Sequence, residues 1–148
     1  MAETKKATLD QQQRHKRWTV CVDFDGVIHS YTSGWNEGWQ IDPCRLLDPP
    51  VPGAIEWLEK IALDFEVVIL TTRGQFPESE AAVKTWLLYH GLSEQVTERI
   101  IVTHEKVAAL VYIDDRGYRF TGDNFPTASE IHRLRPWNKP PTKDKEAG

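Results

Sequence analysis

The chain has 148 residues, 40% of them hydrophobic and 27% charged, a balance that suits one soluble domain with a single core and leaves no room for a second full domain. No apolar run approaches the roughly 18 residues needed to span a bilayer, no signal-peptide pattern opens the chain, and Cys21 and Cys44 give neither a disulfide framework nor a metal-type spacing. A reducing cytoplasm is therefore the expected setting. Net charge is −4, unevenly spread: residues 1–17 hold five Lys/Arg against two acids, residues 130–148 five against three, and the body between them carries −9.

Residues 1–17 lack a packing face and read as a basic, disordered tail. The folded part is expected over 18–135, with a polar Pro/Lys-containing tail over 136–148. Basic tails are able to meet nucleic-acid phosphates, although solvated termini have the same composition.

Thr19 to Phe24 is rich in β-branched and apolar residues without strict alternation, which predicts a central strand covered on both faces. Two carboxylates, Asp23 and Asp25, follow within it or at its end, and then Gly26. Anions this close demand a cation or a held proton. Between Gly26 and Asp48 the composition turns to Gly, Ser, Tyr, Trp and Pro, with Trp35 and Trp39 near two glycines, and predicts a loop or short hairpin.

Pro52-Gly53 opens a helix carried by Ile55, Leu58, Ile61 and Ala62. Phe65 to Thr71 is the second expected strand. A second helix starts near Pro77, runs along Val83, Trp86, Leu87 and His90, and ends at Gly91. Arg99–Thr103 and Leu110–Ile113 read as third and fourth strands, Tyr118–Thr121 as a short fifth. Thr127-Ala128-Ser129-Glu130 is a capping-box pattern for a last helix through about Leu134. Strands alternating with helices predict an α/β fold with a mostly parallel central sheet in three layers.

Three predicted strand ends then carry polar chemistry: Asp23 and Asp25 after the first, Thr71, Thr72 and Arg73 after the second, Asp114 and Asp115 after the fourth. Lys106 lies in the link before the fourth. In a parallel sheet these ends share one edge, where such folds place their ligands.

Asp23-Phe24-Asp25-Gly26-Val27, Thr71, Lys106 and Asp114-Asp115 resemble, in order, the four motifs of the haloacid dehalogenase-like phosphatases. The resemblance covers about residues 18–121. Around Asp23–Tyr31, Gly53–Leu58 and Ile113–Arg116 the wording is similar to small, often phage-encoded members, some labelled like the phosphatase half of polynucleotide kinase. Val27 stands where many members have threonine.

The resemblance implies a Rossmann-like sandwich with a minimal cap or none, and Mg²⁺-dependent hydrolysis of a phosphomonoester. Asp23 is then the nucleophile that becomes an aspartyl phosphate, and Asp25 the general acid–base, its pKa expected to be raised by its anionic neighbours. Thr71, with Thr72 in reserve, and Lys106 would meet the transferring oxygens. Asp23, Asp114 and Asp115, with the backbone carbonyl of Asp25, would hold Mg²⁺. Arg73 either reaches substrate or faces solvent; Tyr31, Trp35 and Trp39 either stack on a nucleobase or cover the sheet edge. Nucleotides and polynucleotide 3′-phosphates are the expected substrates, with sugar phosphates or a non-catalytic binding role as alternatives.

Overall fold

The computed structural model describes residues 18–33 and 42–139. Trp35, Trp39, the 1–17 tail and residues 140–148 lie outside them. The described chain is a mixed α/β fold built on four strands, β1 (Thr19–Asp23), β2 (Glu66–Leu70), β3 (Ile101–Thr103) and β4 (Val111–Ile113). All pairings are parallel, in the order β3-β2-β1-β4. The helices are α1 (Ala54–Asp64), α2 (Ser79–Tyr89), α3 (Glu94–Arg99) and α4 (Ala128–Arg133), and a 3-10 turn follows β2 at Thr72–Gln75. No helix is long and apolar enough to cross a membrane among the described residues.

Successive parallel strands β1, β2 and β3 are neighbours, so right-handed crossovers carry α1, α2 and α3 to the same sheet face. The core agrees with that common face. Val22, Ile69 and Val102, which share one face by register, form one buried cluster with Leu58, Val83, Leu87 and Val96 from the three helices. Reaching β4 from β3 requires crossing to the opposite edge of the sheet, and residues 104–110 do this without a helix. The Tyr112 hydroxyl, donating to the Val107 carbonyl, ties that link to β4.

Two local expectations change. Arg99 closes α3, which starts where the Ser93 side chain accepts the Val96 N–H, so the third strand begins only at Ile101. The fifth strand at Tyr118–Thr121 does not form. Its backbone is drawn into a loop centred on Asn124, whose side chain accepts the Thr121 N–H at 2.6 Å and donates to the Arg119 carbonyl at 3.0 Å. Those groups are then unavailable for a ladder, and β4 is an edge strand among the described residues. The capping box forms as read: the Thr127 side chain accepts the Glu130 N–H, and the Glu130 side chain accepts the Thr127 N–H. Gly91 ends α2 with φ +98°, a conformation that suits glycine.

Candidate metal centre

Parallel pairing places the carboxyl ends of β1, β2 and β4 on one edge, and the polar residues expected there are found there. Asp23 is the last residue of β1, Thr71 follows β2, and Asp114-Asp115 follow β4. One oxygen each from Asp23, Asp114 and Asp115 lie within 4.8 Å of one another. Burial raises the Asp23 carboxyl most, the Asp114 charge adds to it, and the Phe24 N–H only partly offsets them, so its pKa is pushed up to about 7. At neutral pH an uncompensated cluster of this kind gives up a proton only reluctantly.

A cation fits this arrangement on an observation separate from the clustering. Asp115 Oδ1 is buried without a hydrogen-bond partner, while its Oδ2 accepts the Tyr31 hydroxyl at 3.2 Å. A buried carboxylate oxygen left unpaired is costly, and a hard cation satisfies it. The same Tyr31 hydroxyl donates to the backbone carbonyl of Asp25 at 2.9 Å, so that carbonyl borders the same centre. Burial and the Asp115 charge raise the Tyr31 pKa, which keeps the phenol a donor.

Gly26 makes this closeness possible. Its φ is +91°, and a Cβ there would stand 2.4 Å from the Tyr31 hydroxyl and 2.5 Å from Asp115 Oδ2. Glycine is required at this point both by the backbone and by the space.

Asp25 has a different environment from the one its sequence neighbours suggest. The strand stops at Asp23, and the Asp25 carboxylate turns into a buried pocket with Arg73 and His29. Arg73 donates from Nε to Oδ2 at 2.8 Å and from Nη2 to Oδ1 at 2.9 Å. His29 Nδ1 lies 3.0 Å from Oδ1, and His29 Nε2 accepts the Asp48 N–H at 3.2 Å. A backbone N–H can only donate, so the proton of this imidazole is on Nδ1 and Asp25 accepts it. Burial alone would raise the Asp25 pKa, but the His29 and Arg73 hydrogen bonds and the Arg73 charge outweigh it and hold the carboxyl below its ordinary range. The expected raised pKa of Asp25 is thus corrected: three donors, two of them on the charged Arg73 guanidinium, stabilise its anion more than burial opposes it.

Arg73 neither faces solvent nor projects from the site. It is 4% exposed, and its remaining Nη1 donates to the Pro43 carbonyl at 2.9 Å. Thr71 is also buried; its hydroxyl oxygen accepts the Arg73 N–H at 3.3 Å, leaving the O–H as a donor. Thr72 is exposed. Lys106 is exposed in the crossing link with its ammonium 5.2 Å from the Tyr112 ring, and no ion pair joins it to the aspartates among the described residues.

Sequence reasoning gave His29 no role and did not single out Trp137. His29 completes the Asp25 pocket. Trp137 returns from beyond α4 to donate its indole N–H to the Gly26 carbonyl at 2.6 Å. Comparison with models of known protein families gives no match, and comparison with curated proteins gives none either.

Proposed function

We propose that the chain is a haloacid dehalogenase-like phosphomonoester hydrolase: a three-layer, Rossmann-like sandwich with minimal or no cap, dependent on Mg²⁺. The observation that carries this reading is the convergence of Asp23, Asp114 and Asp115 at the carboxyl edge of a parallel sheet, with a buried oxygen of Asp115 unpaired. Asp23, Asp114, Asp115 and the Asp25 carbonyl would hold the ion, which supplies positive charge to a phosphoryl group as its ester bond breaks.

Asp23 attacks phosphorus as a carboxylate, the P–O ester bond opens toward the leaving alcohol, and water then hydrolyses the aspartyl phosphate. The Thr71 O–H donates to a transferring oxygen, and Lys106 adds charge once it turns from the Tyr112 ring. Asp25 first acts by fixing Arg73, Thr71's neighbour. It becomes a proton donor to the leaving oxygen only when its pair with Arg73 opens and the freed carboxylate first takes up a proton from solvent. Substrates are nucleotides or polynucleotide 3′-phosphates, with sugar phosphates as the alternative esters.

The test is phosphate release in Mg²⁺ from aryl phosphate, mononucleotides, sugar phosphates and 3′- or 5′-phosphorylated oligonucleotides. Release that stops with chelator and with Asp23→Ala supports the proposal; release that survives either one refutes it. The closed Arg73–Asp25 pair favours a second reading, a protein that binds a cation and a phosphate ester without turning it over. Saturable Mg²⁺-dependent ligand binding with no release from any ester would select it.

A further inference from the structure

Trp137 combines two properties that side-chain packing alone does not explain. Its single polar atom is fixed on the Gly26 carbonyl at 2.6 Å, yet 62% of the residue is exposed. An indole that only anchored the segment to the body would bury its ring, where most of its stabilising area lies. This ring is instead held in place and offered to solvent. Tyr31 stands beside it, with ring centroids 6.5 Å apart and planes 38° from each other.

The position is set by the same loop that builds the metal centre. Gly26 follows Asp25 directly, and the Tyr31 hydroxyl touches both the Asp25 carbonyl and Asp115 Oδ2. The indole is therefore fixed to the rim of the carboxylate cluster, and one residue, Tyr31, belongs to both. A ligand with its phosphate at the cluster and a flat group one linker away meets this ring. Arg135 and Lys139, both exposed, flank Trp137 in the chain and add positive charge along the segment.

We propose that Trp137, with Tyr31, is the stacking subsite for the base of a phosphate ester, so that the ligand carries a nucleobase next to its phosphate. This deepens the phosphatase reading and rests on it for the placement of the phosphate. A nucleobase has the π-face and size to cover an indole, and such stacking is indifferent to which base is present. A sugar phosphate has no group to place there.

The experiment measures binding by calorimetry in the full-length Asp23→Asn protein with Mg²⁺, using adenosine monophosphate, ribose phosphate and a short 3′-phosphorylated oligonucleotide. Adenosine monophosphate should bind about five-fold or more tighter than ribose phosphate, the range that one stacked base supplies. Adding Trp137→Ala should abolish that preference without weakening ribose phosphate, and Trp137→Phe should keep most of it. Equal affinities, a preference that survives Trp137→Ala, or no binding of either compound overturns the proposal.

The oligonucleotide separates the two sources of this chemistry. Tighter binding than the mononucleotide, with steep salt dependence, identifies a strand end; equal binding identifies a free nucleotide; both support the subsite. Phosphate release by the wild-type protein is scored separately. A Trp137-dependent base preference without release keeps the subsite and removes the phosphatase, whereas release indifferent to the base does the reverse.

Discussion

Asp23→Asn should make the metal-free protein more stable, and the gain should depend on pH in a defined direction. The folded-state carboxyl is raised from 3.8 to about 7, so between these values the native state holds a proton that the unfolded chain releases. Stability therefore falls as pH rises through that window, and above about 7 the full penalty is present. At about 1.4 kcal/mol per pH unit the penalty is about 2–4 kcal/mol, the lower figure allowing for the solvent that reaches this half-buried side chain.

Asparagine keeps an oxygen for the Phe24 N–H, which Asp23 accepts at 2.8 Å, and it removes the charge. At roughly 2–4 °C per kcal/mol for a chain of this size, Asp23→Asn should melt about 5–15 °C higher than wild type at pH 8 in chelator. At pH 4 the two should nearly coincide. Saturating Mg²⁺ should close most of the gap at pH 8 by stabilising wild type, about 2.7 kcal/mol at a hundredfold excess over Kd. Thermal melts followed by circular dichroism, with and without Mg²⁺ across this pH range, provide the test. A gain of the same size at pH 4 and pH 8, or no gain at pH 8, would refute the reasoning.

Tyr31→Phe removes the hydroxyl shared by the Asp25 carbonyl and Asp115; Mg²⁺ affinity by calorimetry should fall about 10–100-fold, with the fold intact by circular dichroism. Arg73→Ala leaves the Asp25 anion buried without its guanidinium and should cost about 3–5 kcal/mol in urea unfolding, whereas an unchanged midpoint would show that the pair contributes nothing. Gly26→Ala forces a Cβ into the Tyr31 hydroxyl at positive φ and should destabilise by about 1–3 kcal/mol while weakening Mg²⁺ binding. Lys106→Ala removes only an exposed side chain, so its melting point should stay within about 1–2 °C of wild type, a surface change of about 0.5 kcal/mol or less; a large loss of phosphate release without such a shift would show that Lys106 reaches the phosphoryl group.

The aspartates of the carboxylate cluster were legible because each stands at the end of an apolar run, and parallel pairing brings run ends to one edge. Asp23 after Val20-Cys21-Val22 and Asp114 after Val111-Tyr112-Ile113 needed no long-range information. The fate of Asp25 did need it. Its partner Arg73 is 48 residues away, although a carboxylate destined for burial requires a cation and Arg73 lies in the turn just after the neighbouring strand, so a signal was present. Tyr118–Thr121 had the composition of a strand, but a single residue, Asn124, diverted its backbone. Residues 94–99 make less than two full turns of helix, too short for periodicity to declare, and Ser93 was the only local cue. Trp137 meets Gly26 across 111 residues, and nothing in its neighbourhood distinguished it from the other tryptophans.

The Arg73–Asp25 pair also divides the charges of the site. Asp25 is already neutralised by a fixed guanidinium, so a divalent ion held by the three remaining aspartates would leave an excess of one negative charge. A phosphate dianion approaching this centre, in a body of charge −9, is repelled at long range and attracted only at contact. Added salt screens the repulsion over a Debye length of about 10 Å at 0.1 M. Moderate ionic strength should therefore speed the arrival of a small phosphate ester, the reverse of its effect on a strand end drawn in by Arg135 and Lys139. One kinetic variable thus reads which part of the molecule a substrate feels first.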